Sequence, residues 1–173
     1  MLLTMRSSIE EAYQAAESSA SAIAQALAKG ALMGARGNSG VILSQIWRGL
    51  AQGLQEKKSF AGSDLADALQ QASTMAYKGM SNPVEGTILT VIREASSAGQ
   101  EQVANGNSDL LSVMEAVVNA ANESVANTPT LLPVLRKAGV VDAGGQGLYT
   151  ILEGALRHLR GEAEQMQFRK PQM

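Results

Sequence analysis

Leu32-Met33-Gly34-Ala35-Arg36-Gly37-Asn38-Ser39-Gly40-Val41-Ile42-Leu43-Ser44-Gln45 is the stretch on which the fold turns. It holds three glycines in seven residues, Asn38 and Ser39 stand between the last two, and an amphipathic run follows at once. Glycine permits close backbone approach and positive φ, and Asn and Ser are good helix N-caps. A polar glycine-rich turn that opens a helix presents unpaired N–H groups at a positive dipole end, which suits an anion such as phosphate. The same residues also serve as a plain helix–helix connection. Spacing alone leaves both open.

Outward from that turn the chain is helical in both directions. Before it, Ile9, Tyr13, Ala16, Ala20, Ile23 and Leu27 recur every three or four residues, predicting one helix over residues 3–29 with Gly30 as its stop. After it, Leu43, Ile46, Trp47, Leu50 and Leu54 predict a second over 39–54. Ser63 is the expected cap of a third helix, with Leu65, Leu69, Ala72 and Met75 inward and Asp64 and Asp67 complementing its dipole. A fourth follows Thr87, with Ile88, Val91, Ile92 and Ala95 inward. Ser108 opens a fifth, ended by Asn127-Thr128-Pro129. A short helix over 130–138 and a last one over 143–160, capped by Asp142 with Leu148, Ile151, Leu152, Ala155 and Leu159 inward, complete the chain. The expectation is one all-α domain over residues 1–160, an antiparallel amphipathic helix bundle, with a polar tail over 161–173.

Composition supports that class and narrows function. The 173 residues are 45% apolar, 17% charged and 3% aromatic, a globular balance rich in small residues. No cysteine is present, which excludes disulfides, thiolate metal sites and a cysteine nucleophile, and the single histidine excludes a His-rich metal site. His158 is expected at the surface near a helix end. A net charge of -2 offers no basic field for nucleic acid. No apolar run is long enough to span a bilayer, and the first residues do not form a signal peptide, so the cytoplasm is the expected compartment.

Two further loops share the character of the first. Gly79-Met80-Ser81-Asn82-Pro83-Val84-Glu85-Gly86-Thr87 precedes the fourth helix, and Ala138-Gly139-Val140-Val141-Asp142-Ala143-Gly144-Gly145-Gln146-Gly147 opens the last. Each is readable alone as a capped helix start or as a ligand contact. In an up-and-down bundle, loops before alternate helices tend to share one end. The three are therefore expected to converge.

At these loops the sequence resembles the DAK2 (DhaL-type) nucleotide-binding domain, most nearly the branch found at the N-terminus of the bacterial fatty acid kinase. The residues that carry the resemblance are Gly34 to Gln45, Pro83-Val84-Glu85-Gly86-Thr87-Ile88-Leu89, and Ala138 to Gly147, in that order along nearly the whole chain. The resemblance implies a barrel-like helical bundle with ATP or ADP at one end. By it, Asn38 and Ser39 contact phosphate, Gly79, Thr87 and Ile88 line the nucleotide or adenine pocket, and Asp142, Ala143 and Gly144 close the other side. It also implies a kinase whose phosphoryl acceptor is a fatty acid held by a lipid-binding partner protein.

One departure matters. The family carries an Asp-Gly-Asp-Thr-Gly-Thr-Asn loop whose aspartates hold two Mg²⁺ ions, and Met1 stands where the residue after that loop belongs. The family's first helix would lie upstream as well. No Asp-x-Asp occurs here, so the metal ligands that the resemblance implies are absent and the expectation is a chain not competent for phosphoryl transfer. Two alternatives stand beside the fatty acid kinase type. One is the nucleotide subunit of dihydroxyacetone kinases, which Asn38-Ser39 and Val140-Val141-Asp142-Ala143-Gly144-Gly145 fit less well. The other is a non-catalytic helical fragment prone to form homo-oligomers.

Overall fold

The computed structural model describes residues 1–162, which form α1 (Leu2–Tyr13), α2 (Ala20–Gly34), α3 (Gly37–Gly53), α4 (Gly62–Lys78), α5 (Ile88–Ala104), α6 (Leu110–Leu131), α7 (Pro133–Ala138) and α8 (Ala143–Leu159). The expected all-α bundle is what the described residues build. Of the expected tail, residues 163–173 lie outside them.

Each helix from α1 to α6 packs on the next, and α8 returns onto α5 and α6. Close approaches fix the directions. Gly30 and Gly34 of α2 face Ser7 and Leu3 of α1, while Gly49 and Gly53 of α3 face Ala72 and Ala68 of α4. Both pairs run antiparallel. The main core lies among α3, α4, α5, α6 and α8, around Ile46, Leu69, Leu89, Ile92, Val117 and Leu148. A smaller cluster of Ala24, Ala51, Leu54 and Ala68 ties α2 to α3 and α4.

The single helix expected over residues 3–29 is two. Ser19 takes extended dihedrals and its side chain accepts the Ala22 amide at 3.2 Å, capping α2. The amides of Ala20 and Ser21 donate to the carbonyls of Lys58 and Lys57, both at 2.9 Å. The turn thus has partners outside its own segment, which periodicity does not register. Gly30 is no stop either. It sits buried inside α2, where any Cβ would meet the Ser7 carbonyl.

The expected inward residues of α1, Ile9 and Tyr13, are not its buried ones. Thr4 and Ser8 are its buried residues. Leu2, Leu3 and Ile9 are exposed, and Tyr13 is 86% exposed. The glycines of α2 meet the Ser7 side chain and the backbone of Leu3, Ser7 and Ser8 rather than apolar side chains. At its start α1 also reaches two other helices, with Met1 against Gly147 of α8 and Thr4 against Gly40 of α3. The indole N–H of Trp47 donates to Met5 Sδ at 3.4 Å.

Other boundaries shift for local reasons. Neither Ser63 nor Ser108 caps its helix: α4 already starts at Gly62, and the N-cap of α6 is Asp109. Asp64 accepts the Ala61 amide at 2.8 Å, and Asp109 caps α6 by accepting the Ser112 amide at 3.1 Å. The Ala61 amide, and then the hydrogen bond from Lys57, hold the Asp64 carboxyl below its usual range. Pro129 does not end α6, which runs on to Leu131. In α8 the buried stripe is Leu148, Leu152 and Leu156, while Ala155 and Leu159 are exposed. Exposed His158 falls in the last turn of α8, as expected.

Candidate functional site

Helices α3, α5 and α8 start at one end of the bundle, so the three loops do converge. The contacts around Gly144 establish it. A Cβ built there would stand 3.1 Å from Ser39 Oγ, 3.3 Å from Asp142 Oδ2 and 3.4 Å from Ile88 Cβ. Side chains from the starts of all three helices therefore meet at one buried glycine.

Each start is built differently. The N-cap of α3 is Arg36, with extended dihedrals and no side-chain cap. Gly37 follows at φ 66°, in the left-handed region that favours glycine. Asn38 is exposed and Ser39 half-buried, and neither serves as the cap. The first turn of α3 thus keeps its amides without a side-chain acceptor, at the positive end of a 17-residue helix.

Thr87 caps α5. Its hydroxyl accepts the Leu89 amide at 3.3 Å and donates to the Val84 carbonyl at 2.7 Å. Ile88, 2% exposed, stands one residue beyond, with its Cβ toward Gly144. Asp142 caps α8, with Oδ2 accepting the Gly145 amide at 2.8 Å. Ala143 is exposed and Gly144 buried.

Of the expected site residues, Ser39, Ile88, Asp142 and Gly144 meet directly. Asn38, Thr87 and Ala143 are their chain neighbours. Gly79 stands apart. It is the C-cap of α4 and faces the Gln45 side chain, about 10 Å along α3 from Asn38 at 1.5 Å rise per residue.

Two supporting groups left no trace in the periodicity. Behind Thr87, Glu85 accepts from Tyr77 Oη at 2.9 Å, Thr90 Oγ1 at 2.5 Å and Arg93 at 3.0 Å. Burial pushes the Glu85 carboxyl up, but the hydrogen bonds from Thr90, Arg93 and Tyr77 outweigh it and hold the group below its usual range. Behind Asp142, the buried hydroxyl of Thr128 accepts the Asp142 amide at 3.0 Å. A Thr immediately before a helical proline was the available signal.

The family model of the DAK2 domain matches residues 1–157. The chain belongs to the DAK2 domain family. Membership makes it a kinase-related, nucleotide-associated kind of domain. An uncharacterised protein of Staphylococcus aureus strain bovine RF122 / ET3-1 is 45% identical over 162 residues, which are 94% of this chain and 29% of the relative. An uncharacterised protein of S. aureus strain USA300 matches to the same extent. The chain thus spans under a third of the length of these relatives. No described helix is long and apolar enough to cross a membrane.

The residues at this end answer differently to a nucleotide and to the Mg²⁺ that the sequence resemblance implies. Uncapped amides at α3 suit phosphate oxygens. The carboxylates at this end do not suit Mg²⁺ by themselves, because Asp142 is bonded to Gly145 and Glu85 to Tyr77, Thr90 and Arg93. Among the described residues no three His, Asp or Glu side chains gather as a metal site. No step through Mg²⁺ follows from this donor set.

Proposed function

We propose that this DAK2 domain binds ATP or ADP across the starts of α3, α5 and α8, as part of an ATP-dependent kinase of the fatty acid kinase type. The meeting of Ser39, Ile88, Asp142 and Gly144 at one end of the bundle carries the proposal. Phosphate would rest on the amides at Asn38 and Ser39, where the helix dipole favours an anion. Thr87 and Ile88, with Gly79 at the margin, would line the base, and Asp142, Ala143 and Gly144 would form the opposite lip. The acceptor would be a fatty acid presented by a lipid-binding partner protein. The nucleotide subunit of dihydroxyacetone kinases is the alternative within the same chemistry.

Amide chemical shifts during titration with ADP test the site. Shifts at Ser39, Ile88 and Gly145 support it, and shifts confined to other surfaces overturn it. Because the carboxylates here make no metal cluster, binding is expected to be weak and little strengthened by Mg²⁺. Tight Mg²⁺-dependent binding in a calorimetric titration would contradict that donor-set argument.

The exposed Leu2, Leu3, Leu32 and Met33 favour a second property alongside this one, self-association into a homo-oligomer.

A further inference from the structure

Pro129 has no N–H to offer the carbonyl of Val125, four residues back in α6. That carbonyl is nevertheless satisfied, because the Thr128 hydroxyl donates to it at 2.7 Å. The Thr128 hydroxyl oxygen in turn accepts the Asp142 amide at 3.0 Å. Thr128 is fully buried, so both hydrogen bonds are made away from water. One hydroxyl thus repairs the proline gap with its proton and holds the α8 loop with its lone pair. Asp142 is tied at its amide to α6 and at its carboxylate to Gly145. The end of α6 also reaches the α5 loop. Gly86, at φ 84°, packs against Leu131 and Leu132.

We propose that Thr128 is a positioning residue of the nucleotide site. Its hydroxyl, paired with Pro129, sets the height of the Asp142–Gly144 lip over the starts of α3 and α5. This rests on the nucleotide proposal above, since the lip is taken to close on ADP. The hydrogen bonds themselves do not depend on it.

The test compares Thr128→Val, which keeps the shape and removes the hydroxyl, with Thr128→Ser, which keeps the hydroxyl. Two quantities are read on the full chain. One is amide hydrogen exchange at Asp142, with Leu69 in α4 as a distant control, and the other is ADP affinity by calorimetry. In Thr128→Val, Asp142 exchange is expected to quicken and ADP affinity to fall, each roughly tenfold, the scale of one buried hydrogen bond. Leu69 exchange should hold, and serine should restore both quantities. Should the valine variant fail to fold, Thr128→Ala takes its place against serine.

Unchanged Asp142 exchange overturns the proposal. So does faster exchange with unaltered ADP affinity, which would make the bond structural only. Equal losses in serine and valine would show that the hydroxyl is not what carries the effect and overturn it as well. A wild-type chain that binds no ADP overturns the nucleotide proposal instead, while the exchange comparison still decides whether Thr128 holds Asp142.

Discussion

Glu85 holds the loop before α5 through donors from three residues, Tyr77, Thr90 and Arg93. Its folded pKa lies below its ordinary value. Its stabilising contribution is therefore complete above the unfolded pKa and is lost as pH falls through the folded one. Glu85→Gln is expected to melt below wild type at pH 7, with the gap closing in acid, below about pH 4. The gap should be small, because Glu85 and Arg93 are both about half exposed and solvent screens the pair. A gap that stays constant between pH 7 and pH 3 would contradict this role. Legibility at this scale follows the distance between partners. The caps Thr87 and Asp142 were readable because each bonds an amide two or three residues on. Thr128 was not, because its second partner lies fourteen residues away. Ser63 is no cap because α4 starts before it, with Asp64 turned back to the Ala61 amide, and at α6 the neighbouring Asp109 takes the capping place of Ser108.

Helix pairs add a constraint that no single residue carries. The crossing of α1 on α2 depends on Gly30, where a Cβ would collide with the backbone carbonyl of Ser7. Backbone cannot swing aside as a long side chain can. Gly30→Ala is therefore expected to destabilise the chain by roughly 1–3 kcal/mol, the usual range for overpacking. Urea unfolding would measure it, and an unchanged midpoint would show that α1 does not press on α2 there. The first two helices read as one for a separate reason. Apolar spacing runs on through residues 14–19, while the break is set by Ser19 and by the carbonyls of Lys57 and Lys58. For α4, α5 and α6 the stripes were legible because those helices are enclosed by neighbours. The core positions Leu65, Leu69, Val91, Ile92, Met114 and Val117 are all buried. At the edge, α1 has a neighbour chiefly on one side, and hydrophobicity no longer tells which face is covered.

Taken whole, the molecule has a well-packed centre and an apolar flank. Leu2, Leu3, Leu32 and Met33 lie exposed on α1 and α2, level with the Leu3–Gly34 approach. Self-association through this flank is expected to shift with concentration in light scattering. The double substitution Leu3→Glu with Met33→Glu should return the chain to monomer. A wild type that stays monomeric at high concentration would rule the flank out as a self-association surface. The convergence of three loops was legible at this scale from helix alternation alone, because α7 is a short insertion that leaves α8 starting at the same end as α5. The standing of Gly79, two turns away along α3, was not, because it depends on how far α4 runs before its cap. The contact between Trp47 and Met5 has a further consequence. Trp47 is the one tryptophan in the sequence, and its indole N–H points at a sulfur on α1. The chain therefore carries its own optical gauge. Detachment of α1 from α3 should move the emission maximum to longer wavelength and open the indole to acrylamide quenching, while the circular dichroism of the enclosed helices stays as it was.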